Sequence, residues 1–295
     1  MELNSDFNLL SGFSDDIHDL LAEIRFIAGS RVRSGVILNL MDGEKRVSEI
    51  RDIIRTSNSA TTHALMELEE RRLVERSSDT CRLTSKGKLM GITLSKFMNS
   101  MDAVRLHREF WNKHSIGSIP ARFLMDINVF RDAYIVEATP DDLQRPYTTY
   151  LEMLDNATHL RAMLSCCLPR HTESIAGFVE TGGRVELILT PDTYHVFLGE
   201  SGLMNLHELM DSDLLKIGVL PENQEISYLI SDTFFSMSLF KRDGFDSSKT
   251  EILLGHGDEI LQWGNSLFDY HWSLSSVLDS ESLGSVRETP LPLEE

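Results

Sequence analysis

Residues 48–84 read "SEIRDIIRTSNSATTHALMELEERRLVERSSDTCRLT". Two helix-spaced apolar patterns flank a polar turn of three to four residues, and two short strand-like runs follow at once. Ser48 is placed to cap the first pattern, whose Ile50, Ile53 and Ile54 point inward. Four of the five residues from Ser57 to Thr61 are Ser, Thr or Asn, the side chains that satisfy orphan backbone N–H groups at a helix start. The second helix therefore begins near Ser59, with Leu65 and Leu68 anchoring its later turns and Leu73-Val74 following. "RRLVERS" and "TCRLTSKGK" form a hairpin around the polar tip Ser77-Ser78-Asp79. So short a turn makes the two helices cross, and the end of the second that carries short hydroxyls is left outermost.

Upstream, Ser14 to Ala28 reads as an amphipathic helix with Ile17, Leu20, Leu21, Ile24 and Ile27 on one side. Arg31 to Leu40 is another, with Val32, Val36, Ile37 and Leu40 apolar, closed at Gly43. Helix, helix, tight turn, helix and hairpin is the layout of a winged helix-turn-helix. The stretch "HALMELEERRLVERSSDTCRLTSKGK" resembles the recognition helix and wing of the ArsR/MarR-like superfamily. Leu65, Leu68, Leu73 and Val74 match its buried positions; Leu83-Thr84 and Gly87 match the end of its wing.

With Thr61, Leu65 and Leu68 inward, Ser59, Ala60, Thr62, His63 and Met66 are left for solvent or DNA. The expected DNA-contacting set is Arg55, Ser57, Asn58, Ser59, Thr62 and His63 around the helix start, with Arg76, Arg82 and Lys86 on the wing. No Arg or Asn lies within that helix to grip a base edge bidentately, so DNA shape carries part of the expected specificity. Each basic residue also reads as an ordinary solvated surface charge.

Charge distribution sharpens the picture. The formal net charge of the 295 residues is −18. Residues 31–96 nevertheless hold 13 Lys and Arg against 9 Asp and Glu, whereas residues 101–295 hold 14 against 31. A small basic module on an acidic body suits a regulator of modest, salt-sensitive affinity better than an indiscriminate nucleic-acid binder. Three cysteines, two of them adjacent, make no disulfide framework, and the acidic N-terminus has no signal-peptide character; a cytoplasmic setting without membrane insertion is expected.

From Lys86 to Trp111 the pattern reads as one long helix whose Leu89, Ile92, Leu94, Phe97, Met101, Val104 and Phe110 exceed the needs of one small domain. A homodimer paired through it is expected, since a symmetric DNA site calls for a two-fold protein; packing on its own second domain is the alternative. "NKHSIGSIPARF", residues 112–123, reads as a boundary. Beyond it "HLRAMLSCCLP", "RVELILT", "LLKIGVLP", "EISYLISD" and "FFSMSLFKRDG" read as strands, separated in part by helices at "RHTESIAGFVETGG" and "PDTYHVFLGESGLMNLHELMDSD". A last helix, "GDEILQWGNSLFDYHWSLSSVL", has Ile260, Trp263, Leu267, Tyr270 and Leu274 inward. The fold class is thus α+β / α/β: an N-terminal winged helix-turn-helix, then an α/β layered domain with a mixed sheet. The expected divisions are a helical extension at 1–30, the winged helix at 31–88, a connecting or dimerisation helix and linker at 89–118, the α/β domain at 119–278 and a disordered tail at 279–295.

The second half resembles more closely. "TGGRVELILT", "ISDTFFSMSLFKRDGFDSSKTEILL" and "EILQWGNSLFDYHW" are similar to the C-terminal domain of archaeal winged-helix regulators of the FilR, methanogenesis-regulatory, type. The specific parts are Asp243, Gly244 and Asp246 and the W-G-x-x-L-F-x-Y element from Trp263 to Tyr270. The resemblance implies a DNA-binding transcriptional regulator from a methanogenic archaeon, with a sensory domain related in fold to half of a phospholipase D. The longer acidic N-terminus departs from typical members.

The chain contains no His-x-Lys, the pair a phospholipase-type nucleophile and its phosphate cation require, so it is not expected to be an enzyme. No Cys-x-x-Cys or His-Glu-x-x-His occurs, and no metal or cofactor is expected. The remaining expectation is a small-molecule effector at the carboxyl ends of the strands, near Arg170, His171, Thr190 and Asp192, where a helix start suits an anion. The competing function is a protein-interaction scaffold whose winged helix docks a protein instead of operator DNA.

Overall fold

The computed structural model describes residues 16–154, 157–166, 169–199, 210, 213–241 and 250–278, without side-chain detail at 169–173 and 198–199. The expected tail, Cys167, most of the segment after "PDTYHVFLG" and the Asp243-Gly244-Asp246 element lie outside the described residues. The chain divides into two compact units, Met1–Asp102 and Ala103–Glu295.

In the first unit, helices α1 (Asp16–Ala28), α2 (Arg31–Asn39), α3 (Val47–Ile54), α4 (Asn58–Glu70) and the start of α5 (Ser85–Leu106) accompany a three-stranded sheet. Its strands are β1 (Lys45–Arg46), β2 (Val74–Ser77) and β3 (Thr80–Leu83), in the antiparallel order β1-β3-β2. The core joins Val36 and Ile37 of α2, Ile50 and Ile54 of α3, Leu65 and Leu68 of α4, and Leu73, Val74, Cys81 and Leu83 of the hairpin. Ser30 and Ser57 cap α2 and α4 through their hydroxyls, as small polar residues ahead of a helix do. Ile53, expected inward, is 53% exposed, because α3 presents only one narrow stripe to α4. On α1 only Ile27 is buried; Leu20, Leu21 and Ile24 stay exposed. Strand β1 was not apparent in the sequence, being two residues long and defined only by its pairing with β3.

The expected single helix over 86–111 is interrupted. It ends as α5 at Leu106, and α6 (Arg108–Lys113) begins after His107, whose buried Nε2 bonds to Phe130 O at 2.9 Å. The segment read as a boundary, 112–123, is instead built into the second unit. His114 and Ile119 are buried, Phe123 nearly so, and Ser115 N donates to Phe240 O.

The second unit is an eight-stranded mixed sheet in the order β11-β7-β6-β5-β8-β9-β10-β4. Here β4 is Tyr134–Glu137, β5 His159–Leu164, β6 Arg184–Leu189, β7 Leu215–Val219, β8 Ile226–Ser231, β9 Phe235–Leu239, β10 Glu251–Gly255 and β11 Ser276–Val277. Strands β5, β6 and β7 are parallel, joined through α9 (Pro169–Glu180) and α10 (Pro191–Gly199); the others pair antiparallel. One sheet face carries Tyr228, Ile230, Phe235, Met237 and Leu253 and packs on α11 (Asp258–Leu274), with α7 (Ala121–Leu124) alongside. The other carries Ala162, Leu164, Leu187, Leu229 and Ile252 and packs on α8 (Arg145–Leu154), α9 and α10.

The W-G-x-x-L-F-x-Y element now has a physical reason. Trp263, Leu267 and Phe268 are buried on α11, and the indole N–H donates to Phe123 O at 3.0 Å. A Cβ on Gly264 would lie 2.6 Å from the Phe235 ring, so only glycine lets α11 sit this close to the sheet. Two turns on, His271 is buried against Tyr228 with Nδ1 2.8 Å from the phenol oxygen. Burial, reinforced by the charge of Arg122, holds the His271 pKa down to about 4, while burial pushes that of Tyr228 well up. The imidazole is therefore neutral beside a neutral phenol. Between pH 6.5 and 4 the unfolded chain binds more protons than the folded one, so stability falls as the pH drops through that window. The full linkage is worth about 3 kcal/mol. Urea unfolding of wild type and His271→Gln at pH 7 and 4.5 should show wild type losing about 2 kcal/mol more than the variant on acidification.

Candidate functional site

Helix α4 starts after a three-residue turn, Arg55-Thr56-Ser57, in which Arg55 adopts a left-handed φ of 55° as it ends α3. Ser57 Oγ accepts from Ala60 N at 3.1 Å, and the buried Thr61 returns its hydroxyl to Ser57 O at 3.0 Å. That pair of bonds fixes the rotation of α4. Thr61, Ala64, Leu65 and Leu68 face the core, while Ser59, Thr62, His63 and Met66 face solvent. Asn58 opens the helix and is oriented by Arg51, whose Nη1 donates to its Oδ1 at 2.9 Å.

The wing is a tight hairpin with Ser78 at a left-handed φ of 51° between paired Ser77 and Thr80. Its cations are not bare. Arg82 stands directly across from Glu75 and donates twice to one carboxylate oxygen, at 2.9 and 2.7 Å. Arg76 lies 3.8 Å from Glu69, and Lys86 3.4 Å from Glu23. Glu67 sits between Arg33 at 2.8 Å and His63 at 3.3 Å; the Arg33 hydrogen bond is the main reason its pKa is lowered. Pairs this exposed contribute little to stability but hold the side chains in register. These acidic partners escaped the sequence reading, although Glu75 and Arg82 flank a predicted tip symmetrically and so had to face each other.

Of the residues expected near an effector, Arg170 and His171 lie in the first turn of α9 and Asp192 in that of α10; Thr190 precedes α10. The parallel register Leu164↔Leu189 brings these two helix starts to the same sheet edge. Thr190 is buried and shares a 2.6 Å hydrogen bond with Thr193. Asp192 accepts from Asn223 Nδ2 at 2.7 Å.

A cavity of about 240 Å³ lies in the same unit. Its floor is the sheet face of β5, β8, β9 and β10, and Tyr147 and Tyr150 of α8 with Ile175 of α9 contribute its other walls. Cys166 lines it as well.

Residues 21–102 match the model of the N-terminal domain of the methanogenesis regulatory protein FilR1, and residues 143–274 match that of its middle domain. The methanogenesis regulatory protein FilR1 of Methanothrix harundinacea (strain 6Ac) is 23% identical over 275 residues, 92% of this chain. The chain spans about three fifths of that relative's length, 61%. Among solved structures, the archaeal chromatin protein TrmBL2, described as showing a novel mode of DNA binding, is 13% identical at a TM-score of 0.40, covering 89% of this chain and 99% of its own. Nuc, a phospholipase D family member from Salmonella typhimurium, is 10% identical at a TM-score of 0.36, covering 50% and 99%. Among the described residues no helix is long and apolar enough to cross a membrane, and no group of three or more metal-ligating side chains gathers. Both domain models match in order along the chain, which is similar over these stretches to the N-terminal and middle domains of FilR1.

Proposed function

We propose that this protein is a non-enzymatic, dimeric DNA-binding transcriptional regulator of an archaeon, cytoplasmic, whose second unit senses a small ligand. The observation that supports the DNA reading most is the outward row Ser59, Thr62, His63 at the start of α4, set between Arg55 and the hairpin that carries Arg82. Short hydroxyls and an imidazole there can reach base edges, and the helix N-terminus with Arg55, Ser57 and Asn58 can meet phosphate. Arg76, Arg82 and Lys86 supply the wing's contacts. The exposed face of α5 pairs the two copies: its Leu89, Ile92, Phe97 and Met101 are 52–69% exposed. Leu20, Leu21 and Ile24 of α1 are also exposed, and the Lys86–Glu23 pair puts α1 beside the start of α5.

The Glu75–Arg82 pair makes the reading testable in two directions. A phosphate must take Arg82 from Glu75, so binding by wild type is already discounted. Fluorescence anisotropy on a fragment of the protein's own upstream promoter and on a scrambled duplex, across a salt series, is the experiment. Arg82→Ala should weaken both complexes alike, by about 3- to 10-fold, and flatten the salt dependence by about one ion. Glu75→Gln should tighten both. Thr62→Ala with His63→Ala should cut the preference for the promoter while leaving scrambled binding near wild type. Folded protein that ignores both duplexes at low salt, with Glu75→Gln no better, would favour the competing reading, in which the winged helix docks a protein and the paired cations are simply its surface.

A further inference from the structure

Strand β9, Phe235–Leu239, reads F-S-M-S-L, the alternation of a strand with one dry and one wet face. Phe235, Met237 and Leu239 do enter the α11 side of the sheet. Ser236 and Ser238 face the other way, yet they are 8% and 5% exposed. They line the 240 Å³ cavity, with Ser227 beside them across the β8–β9 register. Ser227 Oγ already accepts from Ser165 N at 2.9 Å. The hydroxyls of Ser236 and Ser238 have no hydrogen-bond partner among the described residues, so two buried donors are aimed into a space enclosed largely by carbon.

The rest of the wall restricts what can meet them. Ala162, Leu164, Leu229, Ile175 and Ile252 are apolar, and no described lining residue is charged. The described lining thus offers an ionised guest no counter-charge for the hydration it would surrender, and it suits an uncharged one. Tyr147 hydrogen-bonds Ser174 at 2.9 Å, which fixes its ring as a wall, and burial pushes the Tyr150 phenol up, so it stays neutral. An apolar cavity of about 150 Å³ accepts benzene, so this one holds a single ring with one or two substituents. Leu143 lines the rim and is 72% exposed, which marks the way in.

We infer that this cavity is the effector site of the second unit and takes an uncharged single-ring compound bearing a hydroxyl or carbonyl group, held by Ser236 and Ser238. The inference rests on the sensory part of the proposed function but not on DNA binding. The test uses the full chain without DNA and three probes of like size: 4-methylphenol, toluene and 4-methylbenzoate. Titration calorimetry and the thermal midpoint should show 4-methylphenol bound about tenfold more tightly than toluene, with 4-methylbenzoate unbound at millimolar concentration. Ser236→Ala with Ser238→Ala should abolish the preference for the phenol while keeping toluene. Should the double variant misfold, Ser238→Ala alone should reduce the preference several-fold. No binding of 4-methylphenol at millimolar concentration overturns the inference. So does tighter binding of 4-methylbenzoate than of 4-methylphenol, which would mean that the site takes a charged guest. Either failure leaves the promoter measurements standing.

Discussion

Gly87→Ala is expected to lower the thermal midpoint of the first unit by roughly 15 °C, equivalent to about 3 kcal/mol or more. In an exposed helix the same exchange stabilises by about 0.5–1 kcal/mol, because alanine loses less backbone freedom on folding. Gly87 lies in the first turn of α5, and a Cβ there would sit 1.9 Å from Leu73 O and 2.9 Å from its carbonyl carbon. The obstacle is backbone, and it is held: Leu73 O accepts from Thr84 N at 3.0 Å, and Leu73 N donates to Leu68 O. Relief requires α5 to lift off the hairpin or the hairpin to shift on α4, and each movement opens the core at Leu73 and Leu83. Gly177, in α9 with open space around its Cβ position, is the control; Gly177→Ala should be neutral or slightly stabilising. Circular dichroism melts of the three proteins decide it, and a Gly87→Ala midpoint within 3 °C of wild type would mean that α5 is not seated against the hairpin.

His114→Ala should destabilise the second unit by about 3–5 kcal/mol. The imidazole has no exposed surface, its Nδ1 lies 2.7 Å from Phe110 O, and Nε2 faces Glu251 at 3.4 Å across a side chain itself only 6% exposed. Removing the histidine deletes packing against Phe110, whose ring centre is 4.4 Å away, and leaves the Glu251 side chain buried beside an empty space. A buried polar group left facing a void is costlier than an apolar substitute of similar volume. The double variant His114→Leu with Glu251→Leu should therefore recover much of the loss. Urea midpoints of wild type, single and double variants measure the coupling directly; equal losses in single and double variants would show that only packing was at stake.

Much of the first unit was legible because its determinants are local. Ser57 caps α4, and the spacing of Thr61, Leu65 and Leu68 alone dictates that Ser59, Thr62 and His63 point outward. The FilR resemblance, carried by Trp263 to Tyr270, agrees with the matched domain models. The sequence reading went astray where the outcome depends on distant chain. Gly117 and Pro120 look like a linker, yet the segment holding them is drawn into the core by His114 and Ile119. Strands β4 and β10 are four and five residues long and exist by pairing with each other, Val136 opposite Ile252.

What the sequence determined by itself is therefore periodicity, capping and the sign of charge along the chain: which face of α4 is polar, where helices start, and that the basic excess lies between residues 31 and 96. Those follow from bonds and contacts within four residues or so. It took the packed chain to decide that Arg82 is shared with Glu75, that Gly87 touches the backbone of Leu73, and that the serine face of β9 is roofed by α8 and lines a cavity. Alternation along a strand specifies that two faces differ. What covers each face is set by chain eighty or more residues away.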